Sequence, residues 1–126
     1  MELVISVAVI SVLFSVVYLF MRPAEYKAKA RDNKRMSDLA NFERMINEFY
    51  IDNGYYPDIQ VDDLSMYNVK IPQDPINDAT YFYTYQTDGA VYEINARLEY
   101  LTEEMEDDGG NQSEFYEVGN NLYLLP

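Results

Sequence analysis

The chain has 126 residues, room for one modest domain and an appendage, and it contains neither cysteine nor histidine. Disulfides and thiolate chemistry are thereby excluded, and the commonest general base and transition-metal ligand are missing. The formal net charge of −13 is unevenly placed: residues 51–126 carry sixteen acids against Lys70 and Arg97, a surface expected to repel nucleic acid rather than bind it.

The first element is MELVISVAVISVLFSVVYLFMRP. Leu3 to Met21 is free of charge and, as a helix, extends about 28 Å, close to the hydrocarbon thickness of a bilayer. A cleaved secretory signal fits poorly, because such signals begin with basic residues and end in small ones, whereas this run begins with Glu2 and ends in YLFMRP. A charge at the tip of an apolar helix has two readings. Glu2 is either solvated at an interface, or it sits inside a bundle of apolar helices and needs a cation. The nearby cation is an N-terminal amine, that of Met1 or of a neighbouring copy.

From Pro23 the pattern turns to that of an amphipathic helix. Met36, Leu39, Phe42, Ile46 and Phe49 follow steps of three and four, the stripe of one helix face. Asp52-Asn53-Gly54 is a stop signal, and Pro57 blocks continuation. The front half therefore reads as one long helix over residues 2–52, bent near Pro23 and about 75 Å long. That is more than a small domain needs to cover itself, so the first half is expected to pack on something else. Residues 1–23 form an apolar segment of membrane-spanning length, and 24–126 the globular head.

After the helix, Pro57, Pro72 and Pro75 punctuate an irregular segment, with a helical turn expected around Asp62 to Met66. YFYTYQTDGAVYEINARLEY reads as a β-hairpin: Tyr81, Tyr83 and Tyr85 alternate on one arm, Val91 to Leu98 supply the other, and Asp88-Gly89 signals a two-residue turn. A last strand is expected around Leu122 to Leu125. The plan is α+β, a long helix packed on a small antiparallel sheet of about three strands.

Nothing in this order points to an enzyme: no spacing singles out a carboxylate pair, and there is no phosphate loop or nucleotide fingerprint. No cofactor is expected. In the acidic stretch TEEMEDDGGNQSE, Glu104, Glu106 and Asp108 imitate the opening of a calcium loop, but its twelfth position is Phe115, so a solvated acidic loop is the plainer reading. The 13 tyrosines read as core and interface packing rather than a carbohydrate site. Arg22, Lys27, Lys29, Arg31, Lys34 and Arg35 are the denser puzzle. They form either a membrane-flanking anchor or a surface complementary to the acidic head of another copy. Lys27, Arg31 and either Lys34 or Arg35 recur at helical spacing and would make one charged stripe.

Glu2 with LVISVAVISVLFSVV, then RPAEYKAKARDNKRMSDLANFERMINEFYIDNGYYP, resembles the N-terminal half of a bacterial type IV pilin, either a major pilin or a pseudopilin-like subunit. IPQDP at 71–75, the Tyr-rich hairpin and YEVGNNL agree more weakly. The resemblance implies a structural subunit that sits in the inner membrane with its head outside and then polymerises helically into an extracellular filament of many copies. It also implies a prepilin peptidase and a pilus assembly machinery as partners. Glu2 matches the family's glutamate near the mature N-terminus, which makes Glu2, Met1 and Pro23 the candidate assembly residues. Arg22, Lys27, Arg31, Lys34 and Arg35 are the candidate inter-subunit charge contacts.

The sequence departs from the family at three points. Only Met1 precedes Glu2, without a leader, processing glycine or the residues that follow it in relatives. The C-terminal disulfide of many relatives is missing, so hydrogen bonds and packing must close the last loop. Ser11 stands where many relatives have a helix-loosening glycine, which leaves Pro23 as the place for local unwinding. The alternatives are a pseudopilin of a secretion or competence machine, and a monomeric single-span anchor for a binding domain.

Overall fold

The computed structural model of the chain describes residues 1–67 and 70–126. Helix α1 spans Glu2–Phe20 and helix α2 spans Pro23–Asn53. The expected bend is a full break. Arg22 adopts a left-handed conformation (φ 38°, ψ 61°), and Pro23 begins α2, where its missing N–H and fixed φ cost nothing. Gly54 closes α2 with φ 80°, its N–H reaching the Tyr50 carbonyl at 2.8 Å.

Strands β1 (Tyr83–Thr87), β2 (Tyr92–Ala96) and β3 (Tyr116–Gly119) form one antiparallel sheet in that order, with a short helix α3 at Thr102–Glu106 between β2 and β3. The fold is α+β, a long helical front half and a three-stranded antiparallel sheet. Alternation along the strands sends Tyr83 and Tyr85, Tyr92, Ile94 and Ala96, and Tyr116 and Val118 toward α2. There they meet Leu39, Phe42, Met45, Ile46 and Phe49, with Phe42 and Tyr85 tilted 5.3 Å apart. Each of these large side chains contributes roughly 1.5–3 kcal/mol on burial.

Four local expectations are corrected. Met36 is only half-buried, while Met45 and the polar residues Asp32, Arg35 and Asp38 join the buried face of α2. The hairpin loop has four residues rather than two, since Thr87 pairs with Tyr92; the Asp88 carboxylate accepts the N–H groups of Ala90 and Val91 and so stabilises the wider turn. The turn foreseen at Asp62 to Met66 is a 3-10 turn at Ser65–Tyr67. The third strand is Tyr116–Gly119, not Leu122 to Leu125. Beyond it, Leu124 and Leu125 donate their N–H groups to the Glu93 carboxylate at 2.7 and 2.9 Å instead of to a strand.

Candidate assembly surface

Every residue of α1 is exposed, from Glu2 to Phe20. Its mean hydropathy of 2.7 over a 19-residue helix makes it long and apolar enough to cross a membrane or to be a signal sequence. Three serines interrupt the apolar surface, and each is satisfied internally: Ser6, Ser11 and Ser15 donate to the carbonyls of Glu2, Val7 and Ser11 at 2.8–2.9 Å. Such i−4 bonds let a serine lie against apolar neighbours without an orphan hydroxyl. Glu2 is the exception. It lies in the first turn, where a carboxylate favours the positive end of the helix, with its side chain exposed beside Met1.

At the break, the residues of the expected charged stripe have different fates. Arg22 pairs with Glu25 at 2.8 Å, in the open. Lys27 and Lys29 are exposed and form no ion pair among the described residues. Arg31 is half-buried and reaches back to Glu99 of its own chain, and Lys34 pairs with Asp38 one turn on. Arg35 is not a surface charge at all. It is fully buried and belongs to the head's interior, so it is corrected from an inter-subunit contact to an internal one.

Around Arg35 lies a polar cluster that sequence reasoning missed. Its guanidinium donates to both oxygens of Asp74 at 2.6 and 3.1 Å, to Asp32 at 2.8 Å and to Glu99 at 2.6 Å. The Tyr81 ring covers it, 4.7 Å from centroid to guanidinium carbon. Asp32 in turn accepts the backbone N–H groups of Glu99, Tyr100 and Leu101, tying the segment after β2 to α2. The Arg31 hydrogen bond and then Arg35 hold the Glu99 carboxyl below its ordinary range, although burial opposes them. Burial pushes Asp74 upward, but Arg35 and the N–H groups of Ile76 and Asn77 outweigh it and lower it. One sign was present in the sequence: Asp32 and Arg35 stand three apart, the spacing of a helical ion pair.

The acidic stretch is partly helical rather than a loop, since α3 turns Met105 into the core. Glu104 and Glu106 point outward. Asp108 is turned inward onto the N–H groups of Gly110 (2.8 Å) and Glu117 (2.7 Å). Among the described residues, no three acids gather to hold a metal ion.

The chain matches no known family model, no curated protein and no solved structure. The functional reading therefore rests on the chain itself.

Proposed function

We propose that the chain is the structural subunit of an extracellular filament of the type IV pilus kind, with no catalytic activity of its own. One observation carries the reading: a 19-residue apolar helix, none of it buried, is attached to a head that already has its own core. Apolar surface of that extent needs another environment. Before assembly the environment is the inner membrane, with the head outside. After assembly it is a bundle of α1 helices from neighbouring copies, and the acidic heads tile the surface. The break at Met21–Arg22 supports the reading, because it gives α1 its own direction relative to α2.

Shearing cells that express the chain and imaging the supernatant tests the proposal. Abundant filaments composed of this chain are expected. Recovery of the chain only by detergent extraction of the membrane would replace the filament with a monomeric single-span anchor. A secretion or competence pseudopilin would give short filaments retained at the envelope.

The free charges near the break give a finer test. Lys27 is exposed, unpaired among the described residues and about one turn into α2, at the level where a neighbour's acidic head would pass in a staggered filament. An exposed pair contributes at most about 1 kcal/mol, roughly a fivefold effect on association. Lys27→Glu should lower filament yield by about two- to fivefold, and added salt should restore part of it by screening the new repulsion. The head should melt as before. Wild-type yield at every salt concentration would show that Lys27 is ordinary solvated surface.

A further inference from the structure

The outer face of the sheet, turned away from α2, carries two acids where a small domain has little reason to place them. Glu93 and Asn95 of β2 and Glu117 of β3 point there, because their strand neighbours take the core side. They are 0%, 2% and 3% exposed. Carboxylates are almost never buried to this degree without a cation. Neither Glu93 nor Glu117 takes part in an ion pair among the described residues.

The charged groups around them do not help. Arg97, at the end of β2, is committed to Glu114 and lies over the Phe115 ring. Asp108 approaches from the loop after α3 and adds negative charge, while Glu104 and Glu106 of α3 face solvent. On β1, the residues opposite Glu93 and Asn95 are the neutral Gln86 and Thr84. The segment after β3 brings only backbone N–H groups, those of Leu124 and Leu125.

Among the described residues, three buried side-chain oxygens have no hydrogen-bond partner, and all three belong to this cluster: Glu93 Oε1, Asn95 Oδ1 and Glu117 Oε1. Glu93 lies opposite Gly119 and Asn95 opposite Glu117, so the two acids are diagonal neighbours on one face, a spacing that long side chains can bridge. The remaining oxygens hold down the cover. Glu93 Oε2 accepts the N–H groups of Leu124 and Leu125, and Glu117 Oε2 accepts that of Gln112 at 2.9 Å. Gly110 passes so close that a Cβ there would collide with the Glu117 carboxylate.

We infer that Glu117 carries a proton which it donates to Glu93, and that this contact fastens the flanks of β3, at Gly110–Gln112 and at Leu124–Leu125, over the outer face of the sheet. The protonated carboxyl donates to the unpartnered oxygen of the other, which removes one buried charge and satisfies two orphaned atoms at once. Burial pushes the Glu117 carboxyl above its ordinary 4.5; the Gln112 N–H opposes this, and Glu93 adds to it. A raised acid contributes stability that is complete below its unfolded value and is lost as pH rises through the folded value. The closed segment is thus an acid-favoured latch. As pH rises Glu117 loses its proton, the donor to Glu93 is gone, and the cover loosens. The latch belongs to the head alone and does not require polymerisation.

Amide hydrogen exchange at Gln112, Leu124 and Leu125 tests it, on the full chain in detergent micelles between about pH 4.5 and pH 7.5. After correction for intrinsic rates, wild-type protection should fall by up to about tenfold per pH unit, the slope of one proton. Glu117→Gln, whose amide stays neutral and still donates to Glu93, should give a flat profile; Glu93→Gln is the second variant should the first fail to fold. A flat wild-type profile overturns the inference, as does a slope that survives in the folded variant. A wild-type profile flattened by added calcium also overturns it, and assigns the oxygens to a cation. If neither variant folds, the wild-type slope in the absence and presence of calcium decides.

Discussion

Arg35→Met should lower the melting temperature of the head by more than about 12 °C. Removing one partner of a buried ion pair costs about 3–5 kcal/mol, because the opposite charge stays behind without its neutralising contact. In a head of about a hundred residues, 1 kcal/mol moves the melting temperature by roughly 4–8 °C. Arg35 has three carboxylates as partners, and they do not suffer equally. Asp32 keeps three backbone N–H donors and Glu99 keeps Arg31, whereas among the described residues Asp74 retains only the N–H groups of Ile76 and Asn77. The 70s segment should therefore loosen first. Arg35→Lys should recover little, since one ammonium cannot reproduce a fork that reaches Asp74 through two nitrogens while the third nitrogen donates to Asp32 and Glu99.

The same variant should change the response to acid. Asp74 and Glu99 are held below their ordinary values in the folded chain, so they contribute stability that is present at neutral pH and lost as pH falls below about 4.5. Without Arg35 that acid-side loss should shrink, chiefly through Asp74, since Glu99 keeps the Arg31 hydrogen bond that does most to lower it. Thermal melts by near-ultraviolet circular dichroism from pH 3 to pH 7 measure both effects. A variant melting within a few degrees of wild type, with the same acid limb, would mean that the cluster contributes little beyond filling space.

The elements that were legible in the sequence are those whose causes are local. An apolar run without charge requires a helix in an apolar setting, and α1 runs Glu2–Phe20 as the pattern indicates. The stripe of Leu39, Phe42, Ile46 and Phe49 names its own buried face, and Gly54 its own stop. The Arg35 cluster was not legible because its causes are distant. Asp74 is 39 residues away and Glu99 is 64, and nothing in a run of basic residues marks which one turns inward. The misplaced last strand has a similar origin. LYLL at 122–125 is the more apolar stretch, but YEVG at 116–119 is the one that alternates, and the Glu93 carboxylate captures the N–H groups that the later stretch would have offered to a sheet. For the proposed assembly surface, the length of α1 could be read directly from its apolar run, whereas the roles of Glu2 and Lys27 depend on a neighbouring copy.

Glu2→Gln should leave the head folded and reduce filament yield by at least tenfold. In a bundle of apolar helices a carboxylate is costly unless a cation meets it, and the costs and gains of such a site come only from its partner. Along α1 the serines, Ser6, Ser11 and Ser15, are satisfied within the helix, so Glu2 is the charged group left to specify where a neighbour's helix stops. A charge-assisted hydrogen bond contributes about 1.5–3 kcal/mol, or a ten- to hundredfold change in each addition step, and glutamine keeps the shape while removing the charge. The head has no contact with this residue and its own core is complete, so its melting should not move. Glu2→Asp, which keeps the charge on a shorter arm, should fall between the two, and that ordering separates a register contact from a requirement for polarity alone. If all three chains yield filaments equally, Glu2 is a solvated group at the end of a membrane anchor, and the axial register must come from the heads.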